Sequence, residues 1–512
     1  MTNSFHDSNF AVETNLFIMK KIVIVSLMLI IGFAASAQQK KTLNSYISYA
    51  TFNMPGEDST PYVETYITFD KSSLNYVKNA NGQYSATIDI TIMFKQGESV
   101  KNYGKYSLSS PSEADTTGIN GFFMDVQRYS LANGSYKLEV ILEDENNKTD
   151  KPFKVEDQLL MDFPDKFCFS SILGLESYSK ADGEGNNIKN GYNIVPMIMP
   201  YYPENVNKLT FYAEIYNAKK HLGEGEKYLL NTYISAFENN TVLNNYYFTK
   251  RMTAKDIDVI INSMDITNLP SGNYYLVLEA RNRNNDIIGL NRYFFQRSNP
   301  YYEVDNTLLA NINTDNVFSG KIDNLDTIRE YIRTLFPIST LVEKDYADEL
   351  IKTDDIKTMQ QYFYTFWSSR DRFNPNQAWL DYYAQVKRVN ASFKSVNSKG
   401  YATDRGIVFL KYGAPDRIVQ SYSEPGAFPY EIWHYYTLGS QRNKKFVFMT
   451  RDIVTNDFKL IHSDAVGEIN NFRWTTEIYQ RTYGTYDDYG VDGAANPNSY
   501  GDKAKDYYDN PR

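Results

Sequence analysis

Three carboxylates, an arginine and two histidines in the last third of the chain carry its reactive potential. Asp404, Asp416 and Glu431, with Arg405, His434 and His462, are the residue types needed for general acid–base work or for holding a hard metal ion. Their spacing supports neither role strongly. Oxygen- or nitrogen-ligand sites carry readable ligand spacings, and this region has none. A Gly-x-Ser-x-Gly elbow and a His-Glu-x-x-His helix are both absent. Gly413-Ala414-Pro415-Asp416 lacks the glycines, lysine and following helix of a phosphate cradle. No catalytic residue, metal or cofactor is therefore assigned.

Turn chemistry explains the same residues. Thr403 and Asp404 can accept backbone N–H groups, and Gly406 can take a positive φ where a strand begins. Arg405 then pairs with Asp416 or with Glu431. Pro415 fixes the φ of a tight turn after Gly413. Glu431 and Trp433 share one face of a strand, and Ile432 and His434 the other. Trp433 is expected in the sheet core, with a carbohydrate platform as the alternative.

The elements that position these residues are legible from periodicity. Ile328, Ile332 and Phe336 share a helical face, and a second helix is expected over about 355–368. A third starts at Asn374 as N-cap, with Pro375 at the first position and Gln377 three residues past the cap. Its apolar stripe is Trp379, Tyr382 or Tyr383, Val386, Val389 and Phe393. Ile407 to Leu410 is apolar on both faces and reads as a central strand. Tyr430 to Tyr436, Lys445 to Met449 and Phe458 to Ile461 complete an antiparallel meander under the helices.

Upstream, an internal repeat dominates. Leu131-Ala132-Asn133-Gly134-Ser135-Tyr136-Lys137-Leu138 returns 138 residues later as Leu269-Pro270-Ser271-Gly272-Asn273-Tyr274-Tyr275-Leu276. A glycine turn followed by Tyr-x-Leu is the late-strand pattern of immunoglobulin-like sandwiches, in which the tyrosine pins a corner. Alternating runs at 62–69, 84–94, 209–216 and 228–237 supply further strands. The expected fold is multidomain and mainly β. Two tandem immunoglobulin-like β-sandwiches, at 38–160 and 161–298, precede a helical segment and a small α+β domain with an antiparallel sheet at 299–480.

Lys20-Lys21, the apolar run Ile22 to Ala35 and the small residues Ala35-Ser36-Ala37 form a signal peptide pattern with cleavage after Ala37. Residues 1–37 are thus an N-terminal extension and signal peptide, with translation starting at Met1 or Met19. No later stretch is long and apolar enough to cross a bilayer. The single cysteine, Cys168, excludes a disulfide framework and reads as a core residue. A formal charge of −9 argues against nucleic acid as a partner. Forty-four tyrosines suit pleated β-surfaces and partner surfaces alike. Residues 481–512 are rich in Tyr, Asp and Gly and are expected to be disordered.

The ordered set Phe366-Trp367-Ser368-Ser369-Arg370-Asp371, Gly400-Tyr401-Ala402-Thr403-Asp404-Arg405-Gly406, Lys411-Tyr412-Gly413-Ala414-Pro415-Asp416 and Tyr430-Glu431-Ile432-Trp433 resembles the GWxTD domain of exported Bacteroidetes proteins. Tyr401 stands where that family has tryptophan, which keeps an aromatic for packing and loses the indole. The resemblance implies an exported protein, periplasmic or associated with the outer membrane. Asp58-Ser59-Thr60, Asp115-Thr116-Thr117 and Asp326-Thr327-Ile328 resemble Bacteroidetes O-glycosylation acceptors, at Ser59, Thr116 and Thr327. The function expected is a non-enzymatic scaffold engaging an envelope protein partner. The alternative is a glycan-binding protein or enzyme with a carboxylate site in the C-terminal domain.

Overall fold

The computed structural model describes residues 41–54, 60–148, 152–299, 313–479 and 503–511, apart from positions 182, 184, 186, 440 and 472. The signal segment with Ala37 and the acceptor Ser59 lie outside the described residues.

The first sandwich opposes a three-stranded and a four-stranded sheet. Strands β1 (Ser45–Phe52), β2 (Tyr62–Asp70) and β5 (Phe122–Ser130) form one, in the order β1-β2-β5. β3 (Thr87–Gln96), β4 (Ser99–Ser109), β6 (Gly134–Asp144) and β7 (Phe153–Met161) form the other, in the order β4-β3-β6-β7. Strict alternation in β3 sends Ile88, Ile90, Ile92 and Phe94 into the core between them.

The second sandwich repeats the plan. β8 (Leu173–Lys180), β9 (Tyr192–Pro196), β10 (Lys208–Tyr216) and β13 (Ile257–Asp265) make one sheet. β11 (Lys227–Ala236), β12 (Val242–Thr253), β14 (Gly272–Arg281) and β15 (Ile287–Arg297) make the other, in the order β12-β11-β14-β15. The sequence repeat falls on the equivalent strands β6 and β14. The Tyr136 hydroxyl donates to the Ala132 carbonyl at 2.8 Å and the Tyr274 hydroxyl to the Pro270 carbonyl at 3.0 Å, so both corners are pinned alike.

The two sandwiches pack face to face. Ala50, Phe52, Tyr66 and Val126 of the first meet Leu173, Leu175, Ile194 and Tyr212 of the second. That is why β2 is buried on both faces although its sequence alternates. Charged groups are enclosed in the same seam. Lys189 Nζ lies 3.0 Å from Glu64 and 3.3 Å from the centre of the Phe52 ring. Glu214 accepts from the Tyr212 and Tyr216 hydroxyls. Lys189 is 5 % exposed and Glu64 1 %, so the charges are matched inside the seam rather than solvated.

The C-terminal domain contains α1 (Leu325–Thr334), α2 (Leu341–Leu350), α3 (Ile356–Arg370), α4 (Pro375–Phe393) and α5 (Asp404–Tyr412). A four-stranded antiparallel meander follows: β16 (Arg417–Ser421), β17 (Tyr430–Leu438), β18 (Gln441–Met449) and β19 (Lys459–Ser463). Val386, Val389, Val408 and Phe409 cover one face of the sheet, packing on Trp433, Phe446 and Phe448. The short helices α6 (Trp474–Tyr479) and α7 (Ala504–Asp509) cover the other, over Ile432, Val447 and Ile461.

Two expectations are corrected here. Ile407 to Leu410 is helical, inside α5, and the fourth strand is the edge strand β16. A four-residue apolar run does not distinguish a buried strand from a buried helix, and here Thr403 starts a helix. The segment 481–512 is not wholly without structure, because α7 is docked and its Ala504 is fully buried. Residues 480–502 lie outside the described residues.

Candidate functional site

The Thr-Asp-Arg-Gly stretch is a helix start. Thr403 is the N-cap of α5: its Oγ1 accepts from Gly406 N at 3.2 Å and donates to the Gly400 carbonyl at 2.8 Å. Gly406 sits in the first turn of the helix, not in a left-handed turn. It is glycine because a Cβ there would lie 1.8 Å from the Gly400 carbonyl oxygen. A Cβ on Gly400 would lie 2.2 Å from the Val389 carbonyl oxygen. The two glycines therefore let α4, the turn 400–402 and α5 touch backbone to backbone. Tyr401 is buried among them, and burial pushes its hydroxyl up to about 12, with Glu330 adding to the shift.

Arg405 and Glu431 form the centre of the domain. They are 5 % and 2 % exposed and meet at 2.9 Å. The guanidinium also donates to the Asn456 carbonyl at 3.0 Å and Oδ1 at 2.6 Å, and lies over the Phe458 ring at 4.1 Å. Glu431 accepts in addition from Trp433 Nε1 at 2.9 Å and from the Tyr422 hydroxyl. One ion pair thus joins α5, β17 and the loop before β19, leaving Trp433 fully buried.

A second clamp holds the helical segment. Arg370 donates in a fork to Glu343, at 3.0 and 2.8 Å, and to the Ile338 carbonyl at 3.1 Å. Glu343 also closes the capping box of α2 with Thr340. The Thr-x-x-Glu spacing was the available signal for α2, which sequence reasoning missed. Asp371 accepts from Phe373 N and Asn374 N at 3.0 and 2.8 Å, turning α3 into α4. Asn374 is the N-cap of α4 with Pro375 at the first position, as expected, although its side chain makes no capping bond. Trp367 is buried against Trp379 and Tyr382.

The candidate acid–base residues do not converge. Asp404 accepts from Leu460 N at 2.8 Å, tying α5 to β19. Asp416 accepts from Tyr436 N at 2.6 Å, in the exposed turn after Gly413 and Pro415. Gly413 itself ends α5 at φ +85°, and its carbonyl receives the Tyr435 hydroxyl at 3.0 Å. His434 points to the opposite face from Glu431, with Nε2 2.6 Å from Asn443 Oδ1. Among the described residues no group of three or more His, Cys, Asp or Glu side chains is placed to hold a metal ion. Thr116 is exposed, and Thr327 lies in the first turn of α1.

One polar cluster was not visible in the sequence. His462 Nδ1 accepts from Asn471 N at 3.1 Å, so Nε2 carries the proton and donates to the Tyr508 hydroxyl at 3.0 Å. The ring stacks on Trp474 at 5.7 Å. Burial holds the imidazole down at about 3, with Lys505 and Lys445 acting in the same direction. An unfolded histidine titrates near 6.5. The unfolded chain therefore binds a proton that the folded chain refuses between these limits. The His462 contribution is complete above about pH 6.5 and declines as pH falls towards 3. Between pH 7 and 5 the wild-type domain should lose about 2 kcal/mol more stability than His462→Gln, since one pH unit is worth about 1.4 kcal/mol. Urea titrations followed by tryptophan emission at the two pH values measure this difference, and equal losses would refute it.

Residues 301–480 match the GWxTD domain. No curated protein matches the chain. Solved structures with local similarity include the fibronectin(III)-like modules of CbhA from Clostridium thermocellum. They are 10% identical over 47% of this chain and 89% of that one, with a TM-score of 0.14. A Bacteroides uniformis β-glucuronidase is 11% identical over 57% of this chain and 38% of its own, with a TM-score of 0.19. A Salmonella α-2-macroglobulin is 10% identical over 51% and 17%, with a TM-score of 0.14. The chain thus spans less than two fifths of the length of the latter two. No helix among the described residues is long and apolar enough to cross a membrane.

Proposed function

Because residues 301–480 belong to the GWxTD domain family, we propose that this chain is a non-enzymatic, exported cell-envelope scaffold whose C-terminal domain binds another protein. The observation that carries the reading is where the motif residues point. Arg405, Glu431, Arg370, Thr403 and Asp404 are each occupied in holding secondary-structure elements together. The apolar groups this domain turns to water are different ones. Phe373 is 91% exposed, and on another pair of loops Val396 is 70% exposed and Val454 82%. The loops of the two valines are tied by the bond from Val396 N to the Thr455 carbonyl at 3.1 Å. With Ile453, 46% exposed and next to Val454, these valines make the apolar surface that we assign to the protein partner. The lysine pair and apolar run before Ala37 support export to the periplasm or the outer membrane, and the net acidity weighs against nucleic acid.

The test is capture of partners from detergent-solubilised envelopes with the tagged full-length chain and its Val454→Asp variant. The expected result is a reproducible protein partner whose recovery drops at least several-fold with the variant. Equal recovery by both chains, or none above an untagged control, would overturn the reading.

A further inference from the structure

The helix α7 is held like a ligand. It has six residues, and isolated helices below about 12–15 residues are marginal in water. Its conformation therefore depends on the surface beneath it. Lys503 N donates to Glu424 at 2.8 Å, and Ala504 N to the Tyr479 hydroxyl at 3.1 Å. Lys505 Nζ reaches Glu156 on β7 of the first sandwich at 2.9 Å. The Tyr508 ring lies 5.0 Å from Trp474 and receives Lys445 Nζ 4.7 Å above its centre, while its hydroxyl accepts from His462. The groove thus has a small-residue position at Ala504, a carboxylate at Glu156 that Lys137 and Lys154 also hold, and an aromatic slot for Tyr508.

All these contacts are made by residues upstream of position 480, and residues 480–502 separate them from α7. A stretch of that length has a maximal span of about 80 Å. We propose that this groove is a peptide site that accepts the 503–511 segment of a second copy of the chain, so that two copies exchange their C-terminal helices. A reciprocal exchange keeps every contact named above. It adds no new interface and costs only association entropy, which two tethered segments share. At low concentration the tether favours a chain's own segment, and exchange rises as copies are crowded. The inference names one binding surface of the domain and stands apart from the envelope partner. A failure here leaves the capture experiment with Val454→Asp unaffected.

Full-length chains grown with ¹⁴N and ¹⁵N can be mixed in equal amounts, incubated from dilute to concentrated, and treated with a water-soluble carbodiimide. The reagent activates the Glu156 carboxylate. Lys505 Nζ then displaces the urea by-product, forming an amide with net loss of water to the carbodiimide. Mass spectrometry of the linked peptide distinguishes same-isotope from mixed-isotope pairs. The expected result is a mixed fraction that rises with concentration towards one half. The variant Tyr508→Ala should lower all Lys505–Glu156 links several-fold. Same-isotope pairs alone at every concentration would overturn the proposal. So would an absent link in the wild type, or mixed pairs unchanged by Tyr508→Ala.

Discussion

Arg405→Ala should destabilise the C-terminal domain by about 3–5 kcal/mol, the range for removing one partner of a buried ion pair. The penalty falls on Glu431, which is 2% exposed and loses its only cation among the contacts described above. Asn456 and the Phe458 ring lose their guanidinium as well. The pair Arg405→Met with Glu431→Gln should recover at least half of the loss. It removes both charges and leaves Trp433 Nε1 an acceptor. The four tryptophans, Trp367, Trp379, Trp433 and Trp474, all belong to this domain. Tryptophan emission in a urea titration therefore reports its unfolding separately from the sandwiches. A single-variant loss below about 1 kcal/mol would refute the ion pair as the domain's centre.

Gly406→Ala should cost about 3 kcal/mol or more, towards the upper end of overpacking effects. The new Cβ would meet the Gly400 carbonyl oxygen at 1.8 Å and Val389 Cγ1 at 2.8 Å. A backbone carbonyl cannot rotate aside as a flexible side chain can. Helix propensity alone argues the other way, since alanine is favoured over glycine by roughly 1 kcal/mol within a helix. The sign of the measured change therefore discriminates. A variant that unfolds at higher urea would show that the three segments do not need this close approach.

Parts of this architecture were legible and parts were not, for physical reasons. The repeat at 131–140 and 269–278 located the same strand in both sandwiches, because a glycine turn with a pinned tyrosine is a local signal. Asp355 did cap the helix expected there, accepting from Thr358 N at 3.0 Å. Thr403 was harder. A capping threonine is usually announced by Glu or Gln three residues on, and here that position is Gly406, which reads as a turn. The partner of Arg405 was narrowed to two carboxylates, and only the β17 register selects Glu431. Least legible was the seam between the sandwiches. Lys189, Glu64 and Glu214 look like solvent-facing charges in a strand pattern. Their burial follows from the approach of a second sheet, which leaves no mark in local periodicity. The docking of α7 was hidden similarly, because its three useful side chains sit in a segment of low aliphatic content.

The seam also bears on how the molecule can be divided. The sandwiches adjoin through their broad faces, so neither is a bead that can be cut free at a linker. Separating the sandwiches at position 161 would strand Leu173, Ile194 and Tyr212 against water and take Glu64 away from Lys189. The two sandwiches are best handled, inherited and transplanted together.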